Sequence, residues 1–139
     1  MYGLLLLLHI LAATIWTGGH IVLSVVVLPQ ALKTQSPEVL LGFESVYEKI
    51  GMPALIIQIL TGLILAYRMV PDFTQWFNTA NPASHAILAK LVLLALTVGF
   101  ALNARFRVVP TLSASTLKVM AWHIVAVSIF SILFVAVGV

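Results

Sequence analysis

The chain of 139 residues has no cysteine and very little charge, with four acidic and seven basic residues giving a net charge of +3. The missing cysteines exclude a disulfide scaffold, thiolate metal sites, iron–sulfur clusters and a cysteine nucleophile. A charged fraction of 8% beside 62% hydrophobic residues is too small to cover a soluble domain, about a quarter of whose residues are normally charged. The same hydrophobicity excludes disorder. The composition therefore defines a one-domain integral membrane protein spanning residues 1–139. The small positive balance reads as a topology signal rather than a nucleic-acid footprint.

No charge precedes Lys33, and about 20 apolar residues suffice to cross a bilayer as a helix. Residues 2–29 supply the first span, with Pro29 expected at its end. The segment lacks a basic start and is too long for a secretory signal. A second span is expected over 51–69, a third over 82–107 with Asn81-Pro82 as cap and first turn, and a fourth over 115–138. The fold class is thus an all-α membrane four-helix bundle. From the start at Ser36-Pro37-Glu38, Leu40, Phe43, Tyr47 and Ile50 fall on one stripe, with Glu38, Glu44, Glu48 and Lys49 as the polar residues among them, so that a helix is expected over 37–49. This predicts a separate short amphipathic helix lying on the membrane surface. The aromatics Phe73, Trp76 and Phe77 suit an interfacial belt or a lid.

Five of the seven basic residues, Lys33, Lys49, Arg105, Arg107 and Lys118, fall on the side of the first and third connections, against Arg68 and Lys90 toward the other side. The positive-inside rule then places both termini in the periplasm of a bacterial inner membrane.

Ionisable residues inside a bilayer are costly and default to functional hypotheses. All four histidines, His9, His20, His85 and His123, lie in or beside the spans, as does Lys90. On a helix His9, Trp16 and His20 share one stripe, since seven and eleven steps each return to within about 20°. Gly18 and Gly19 leave room for a neighbouring helix or for a flat ring. At 1.5 Å per residue His20 and His123 both lie roughly 12–14 Å from the cytoplasmic end, while His9 lies about 10 Å and His85 about 4–5 Å from the other. Facing imidazoles on two helices are axial ligands for haem iron. The expected pairs are His20 with His123 and His9 with His85, with Trp16 on the macrocycle and Arg68 and Lys90 at the propionates. The same four histidines could instead hold copper, and Met120, one turn from His123, admits a mixed Met/His site. A structural role, with the histidines only joining helices, is the third alternative.

The stretch His9-Ile-Leu-Ala-Ala-Thr-Ile-Trp16-Thr-Gly-Gly19 resembles the first helix of the CopD-like membrane proteins. Ile59-Leu-Thr-Gly62-Leu resembles a following helix. Lys90-Leu91 through Leu102-Asn103-Ala-Arg105-Phe-Arg107-Val-Val-Pro110 is similar to their lysine-containing helix and its turn. A wider likeness is to the HemJ-type protoporphyrinogen oxidase, a small haem b membrane protein, onto which His9, Trp16 and Lys90 map. The resemblance implies either one or two haem b groups in a redox, electron-transfer role, with a quinone or small redox partner, or copper binding or transport. Small bundles of this kind also suggest a homo-oligomer.

Overall fold

The structure is a computed structural model that describes residues 2–77 and 82–138. Among these, four helices are long and apolar enough to cross a membrane: α1 (Tyr2–Thr34), α2 (Pro37–Met69), α3 (Ser84–Thr111) and α4 (Ala114–Val137). The all-α four-helix expectation is met, with each span carried by one of the long hydrophobic runs. The exposed surface is dominated by large apolar side chains such as Leu7, Val25, Ile56, Ile64 and Ile132, which is what a lipid-facing surface requires. Asn81, the expected cap of the third span, lies outside the described residues.

The two connections at one end are tight. α1 ends at Gln35, whose φ of 51° is left-handed, and the Ser36 N–H donates to the Ala31 carbonyl at 3.0 Å. Pro37 then opens α2, where its missing N–H costs nothing. α3 and α4 meet at Ser113, which exchanges capping hydrogen bonds with Thr116. At the opposite end Asp72 accepts from the Thr74 N–H at 3.0 Å and its hydroxyl at 2.7 Å, which holds its carboxyl below the usual range. This caps the short 3-10 helix Phe73–Phe77. Trp76 is not on the surface: it is buried and its indole N–H donates to the Val70 carbonyl at 2.8 Å. It packs with Ile87 to seal the α2–α3 end, while Phe77 stays exposed.

Two expectations about the helix ends are corrected. Residues 37–49 do not form a separate surface helix, because α2 runs unbroken through Gly51 and Pro53 to Met69. At 1.5 Å per residue such a helix is about 50 Å long, against about 30 Å of hydrocarbon. Its charged first turns therefore extend past the bilayer as part of the same rod. Pro29 does not end α1 either. A π-helical segment, Leu23–Val27, precedes it, and the Leu28 N–H reaches back to Leu23 rather than one residue later. Pro29 then falls in the first turn of the next regular stretch, where no N–H is required. α3 repeats the device, with the π segment Ala104–Val108, Val109 N–H bonded to Ala104, and Pro110 next.

α1 and α2 share the most extensive helix–helix contact of the bundle. The Tyr47 ring lies in the hollow left by Gly19 on α1 and Gly51 on α2, and a Cβ at either position would strike it. Its hydroxyl sits 3.0 Å from the Ile15 carbonyl and 3.1 Å from that of Trp16. Gly19→Ala is therefore expected to lower stability by about 1–3 kcal/mol, the usual cost of overpacking. A Cβ at Gly18 meets nothing within 4 Å, so Gly18→Ala should be neutral or stabilising by up to about 1 kcal/mol. Thermal unfolding of both variants in detergent checks this; equal midpoints would contradict the packing described.

Candidate functional site

At the end where the π segments lie, the bundle forms a partly open cavity of about 60 Å³ lined by His20, Tyr47, Met52, Met120 and His123, with Glu44, Glu48 and Arg105 also on its wall. Each element delivers its residue for a local reason. His20 stands three residues before the first π segment, and Arg105 lies within the second. The widened turns stand where prolines enter the helices, and π turns recur at functional sites. Met120 and His123 occupy adjacent turns of α4. Glu44, Tyr47 and Glu48 lie on one stripe of the first turns of α2.

The two histidines share one tautomer. His20 Nδ1–H donates to the Trp16 carbonyl at 2.8 Å, four residues back. His123 Nδ1–H does the same to Val119 at 2.8 Å. Each ring therefore keeps its Nε2 lone pair, which is the arrangement that orients an imidazole for metal ligation. The Asn103 side-chain amide donates to His123 Nε2 at 2.6 Å. His20 lies tilted against Trp16, ring centroids 4.4 Å apart, and edge-on to Tyr47 at 5.7 Å. His123 is edge-on to Phe100 at 5.4 Å. At the rim Arg105 Nε pairs with Glu48 Oε1 at 2.6 Å, the two side chains 45% and 26% exposed.

His20 and His123, matched in depth from the sequence, line the same cavity. His9 takes another partner: the Thr61 hydroxyl donates to the Ile57 carbonyl at 2.6 Å and so accepts from His9 Nδ1–H at 3.0 Å. Its ring lies over Gly62. His85 is exposed at the start of α3 and lines neither this cavity nor the small one described below. Arg68 is exposed at the end of α2. Lys90 is half-buried, its ammonium 6.0 Å from the Phe134 ring centre.

The donor set at the cavity is two imidazoles and two thioethers, with carboxylates beside them. Among the described residues no three histidine, aspartate or glutamate side chains stand together as a metal site, so Met52 and Met120 are needed to complete one. Imidazole with thioether suits copper, the thioethers favouring copper(I). The cavity as it stands, about 60 Å³, is smaller than a porphyrin site. Sites for molecules of that class occupy several hundred Å³, roughly 300–1,000, and the rings flanking His20 and His123 are the protein's own. The flat ring that Gly19 admits is Tyr47.

Glu44, Glu48, Tyr47 and Met52 were not singled out as site residues from the sequence. The available signal was the stripe on the start of α2, which there read as a membrane-surface face.

The chain is thus a polytopic membrane bundle with a cavity near one end that two histidines and two methionines line. The family profile described as copper resistance protein D, CopD, matches residues 41–139, and the chain belongs to that family. The match covers α3, α4 and nearly all of α2; the stretch from His9 to Gly19 lies outside it. No curated protein and no solved structure matches the chain at a significant level, and the likeness to the HemJ-type oxidase is not shown.

Nitrogen-15 shifts of the imidazoles are expected to show His20 and His123 protonated at Nδ1 and not at Nε2 when neutral. The opposite tautomer at either residue would contradict the hydrogen bonds to Trp16 and Val119.

Proposed function

We propose that the protein handles copper ions in the membrane, binding the ion as cargo between His20 and His123 with Met52 and Met120. The observation that carries this is that two histidines and two methionines line one cavity, both imidazoles hydrogen-bonded through Nδ1, in a chain of the CopD family. Glu44 and Glu48 supply negative charge beside the cavity, and Asn103 is the group that must yield His123 Nε2 when the ion arrives. The cavity lies at the end that carries Lys33, Lys49, Arg105, Arg107 and Lys118. By the positive-inside rule that end faces the cytoplasm of a bacterial inner membrane and both termini face outward. The redox alternative, haem b held by the same histidines with a quinone or small redox partner, requires the helices around the cavity to separate.

Anaerobic copper(I) titration of the purified protein against a chromogenic chelator tests the reading. One ion per chain is expected. His20→Ala or His123→Ala should each weaken binding by about tenfold or more. Met120→Leu should weaken copper(I) and spare copper(II), because a thioether prefers the softer ion. Unchanged binding in both histidine variants, or none in the parent protein, would overturn the site. A Soret band in the same sample, lost with the same histidines, would put haem in place of copper.

A further inference from the structure

The bundle holds a second, smaller cavity of about 10 Å³, lined by Trp16 of α1, Gln58 of α2 and Thr97 of α3, with Ser131 of α4 also on its wall. All four helices reach it. Among the described residues, four buried side-chain polar atoms have no hydrogen-bond partner, and three of them belong to residues of this wall: Trp16 Nε1, Gln58 Oε1 and Thr97 Oγ1. Their residues are 5%, 7% and 4% exposed. The fourth, Ser84 Oγ, is not on this wall.

Comparable groups elsewhere in the bundle are satisfied. Thr61, Ser128 and Ser131 each return their hydroxyl to the carbonyl four residues back, the ordinary way for a helix in lipid to satisfy them. The other buried tryptophan, Trp76, donates its indole N–H to the Val70 carbonyl. Trp16 and Thr97 do neither. Buried side-chain polar atoms nearly always have a partner, and in hydrocarbon no solvent supplies one. Three unpaired groups gathered on one small cavity therefore point to a shared ligand.

The three groups define its chemistry. They are an indole donor, an amide oxygen acceptor, and a hydroxyl that does either. A water molecule accepts from the first and donates to the other two, within the usual two to four partners of a buried water. The volume is at the threshold for one such molecule, roughly 10–15 Å³, and admits nothing larger. A metal ion does not suit the set, because the indole presents a positive N–H and only two neutral oxygens remain.

We propose that this cavity is a binding site for a single water, which bridges α1, α2 and α3 through Trp16, Gln58 and Thr97 and fixes the Trp16 indole. The consequence falls on the neighbouring cavity. Trp16 lines that one too, and its ring centroid lies 4.4 Å from that of His20. The N–H is the one polar atom of the indole, so whatever holds it sets the plane that the ring presents to His20. Trp16 is thus a positioning residue for His20, with the water as its anchor. The inference does not rest on the copper reading, since no metal takes part in it.

The sign of a stability change tests the site in the whole protein. Thr97→Val is nearly isosteric. With the water bound, the change removes one of its partners, and the thermal midpoint in detergent should fall by about 4 °C, the shift expected for one hydrogen bond in a chain of this size. With no water there, the change removes an unpaired buried hydroxyl, and the midpoint should rise. A midpoint unchanged or higher would overturn the proposal. The Trp16 Nε1–H proton resonance supplies a second readout that general loosening of the bundle would not single out. It should move in Thr97→Val and hold its place in Thr97→Ser, which keeps the hydroxyl, while that of Trp76 holds its place in both. A Trp16 resonance that ignores the valine would count against the bridge. The parent protein gives a third check that needs no variant: a crystal structure from lipid should show one density peak within about 3.2 Å of all three atoms. A well-ordered map without that peak would also overturn the site.

Discussion

The Tyr47 side chain is the contact on which the candidate site depends. Its ring fills the space between Gly19 and Gly51 and so sets how closely α1 and α2 approach. Its hydroxyl reaches the Trp16 carbonyl at 3.1 Å, and the same carbonyl accepts His20 Nδ1–H at 2.8 Å. A carbonyl oxygen has two lone pairs and can serve both. One phenol thereby spaces two helices, closes one wall of the cavity and holds the acceptor that fixes the tautomer of His20. In a bilayer this economy is enforced, since helix association there relies on close packing and interhelical hydrogen bonds rather than on hydrophobic burial.

The second constraint is proline. Pro29 and Pro110 would each break a regular helix, having no N–H to give and a ring that crowds the preceding turn. In both places a π segment ends two residues before the proline and lets the helix continue. Pro53 is taken inside α2 with no such segment. The two widened turns fall at the level of the cavity, on α1 after His20 and on α3 after Asn103. Ser24, within the first of them, hydrogen-bonds Ser128 on α4, whose hydroxyl also lies 3.1 Å from the His20 carbonyl. The prolines thus act on the site through the helices that carry its residues, although neither proline touches it.

What the sequence made legible was whatever depends on spacing along one helix. The long apolar runs announce four spans because lipid leaves no other backbone option. The common depth of His20 and His123 follows from counting residues to Pro29 and Ser115, and depth is almost linear in residue number. Contacts between helices were not legible in the same way. Depth alone also paired His9 with His85, but Thr61 on α2 offers His9 a hydrogen bond that no periodicity on α1 reveals. The polar stripe of Glu44, Tyr47 and Glu48 looked like a membrane-surface face because such a face and a cavity wall have the same pattern on one helix. Only the continuity of α2 through Gly51 and Pro53 decides between them, and that continuity is set by packing against α1. The aromatic connection shows the same limit, since Trp76 is drawn inward by the Val70 carbonyl while Phe77 one residue later stays out.

The arrangement of donors bears on how a cation would enter. Moving an ion out of water is opposed by a desolvation cost of several kcal/mol, and the groups that offset it must be met in order. Here the carboxylates of Glu44 and Glu48 stand on the partly exposed first turns of α2, with Arg105 already drawing one of them into an ion pair. Met120, on the buried side of α4, is 4% exposed, and His20 lies between Trp16 and Tyr47. Met120 is therefore the more buried, while Glu44, Glu48 and Met52 are each partly exposed. A hydrated calcium or magnesium ion would gain from carboxylates and nothing from a thioether, whereas copper(I) would gain most from the buried thioether. Selection in such a site does not need a tight fit at the rim. It would follow from the order of the ligands, from the carboxylates on the first turns of α2 to the buried Met120 on α4.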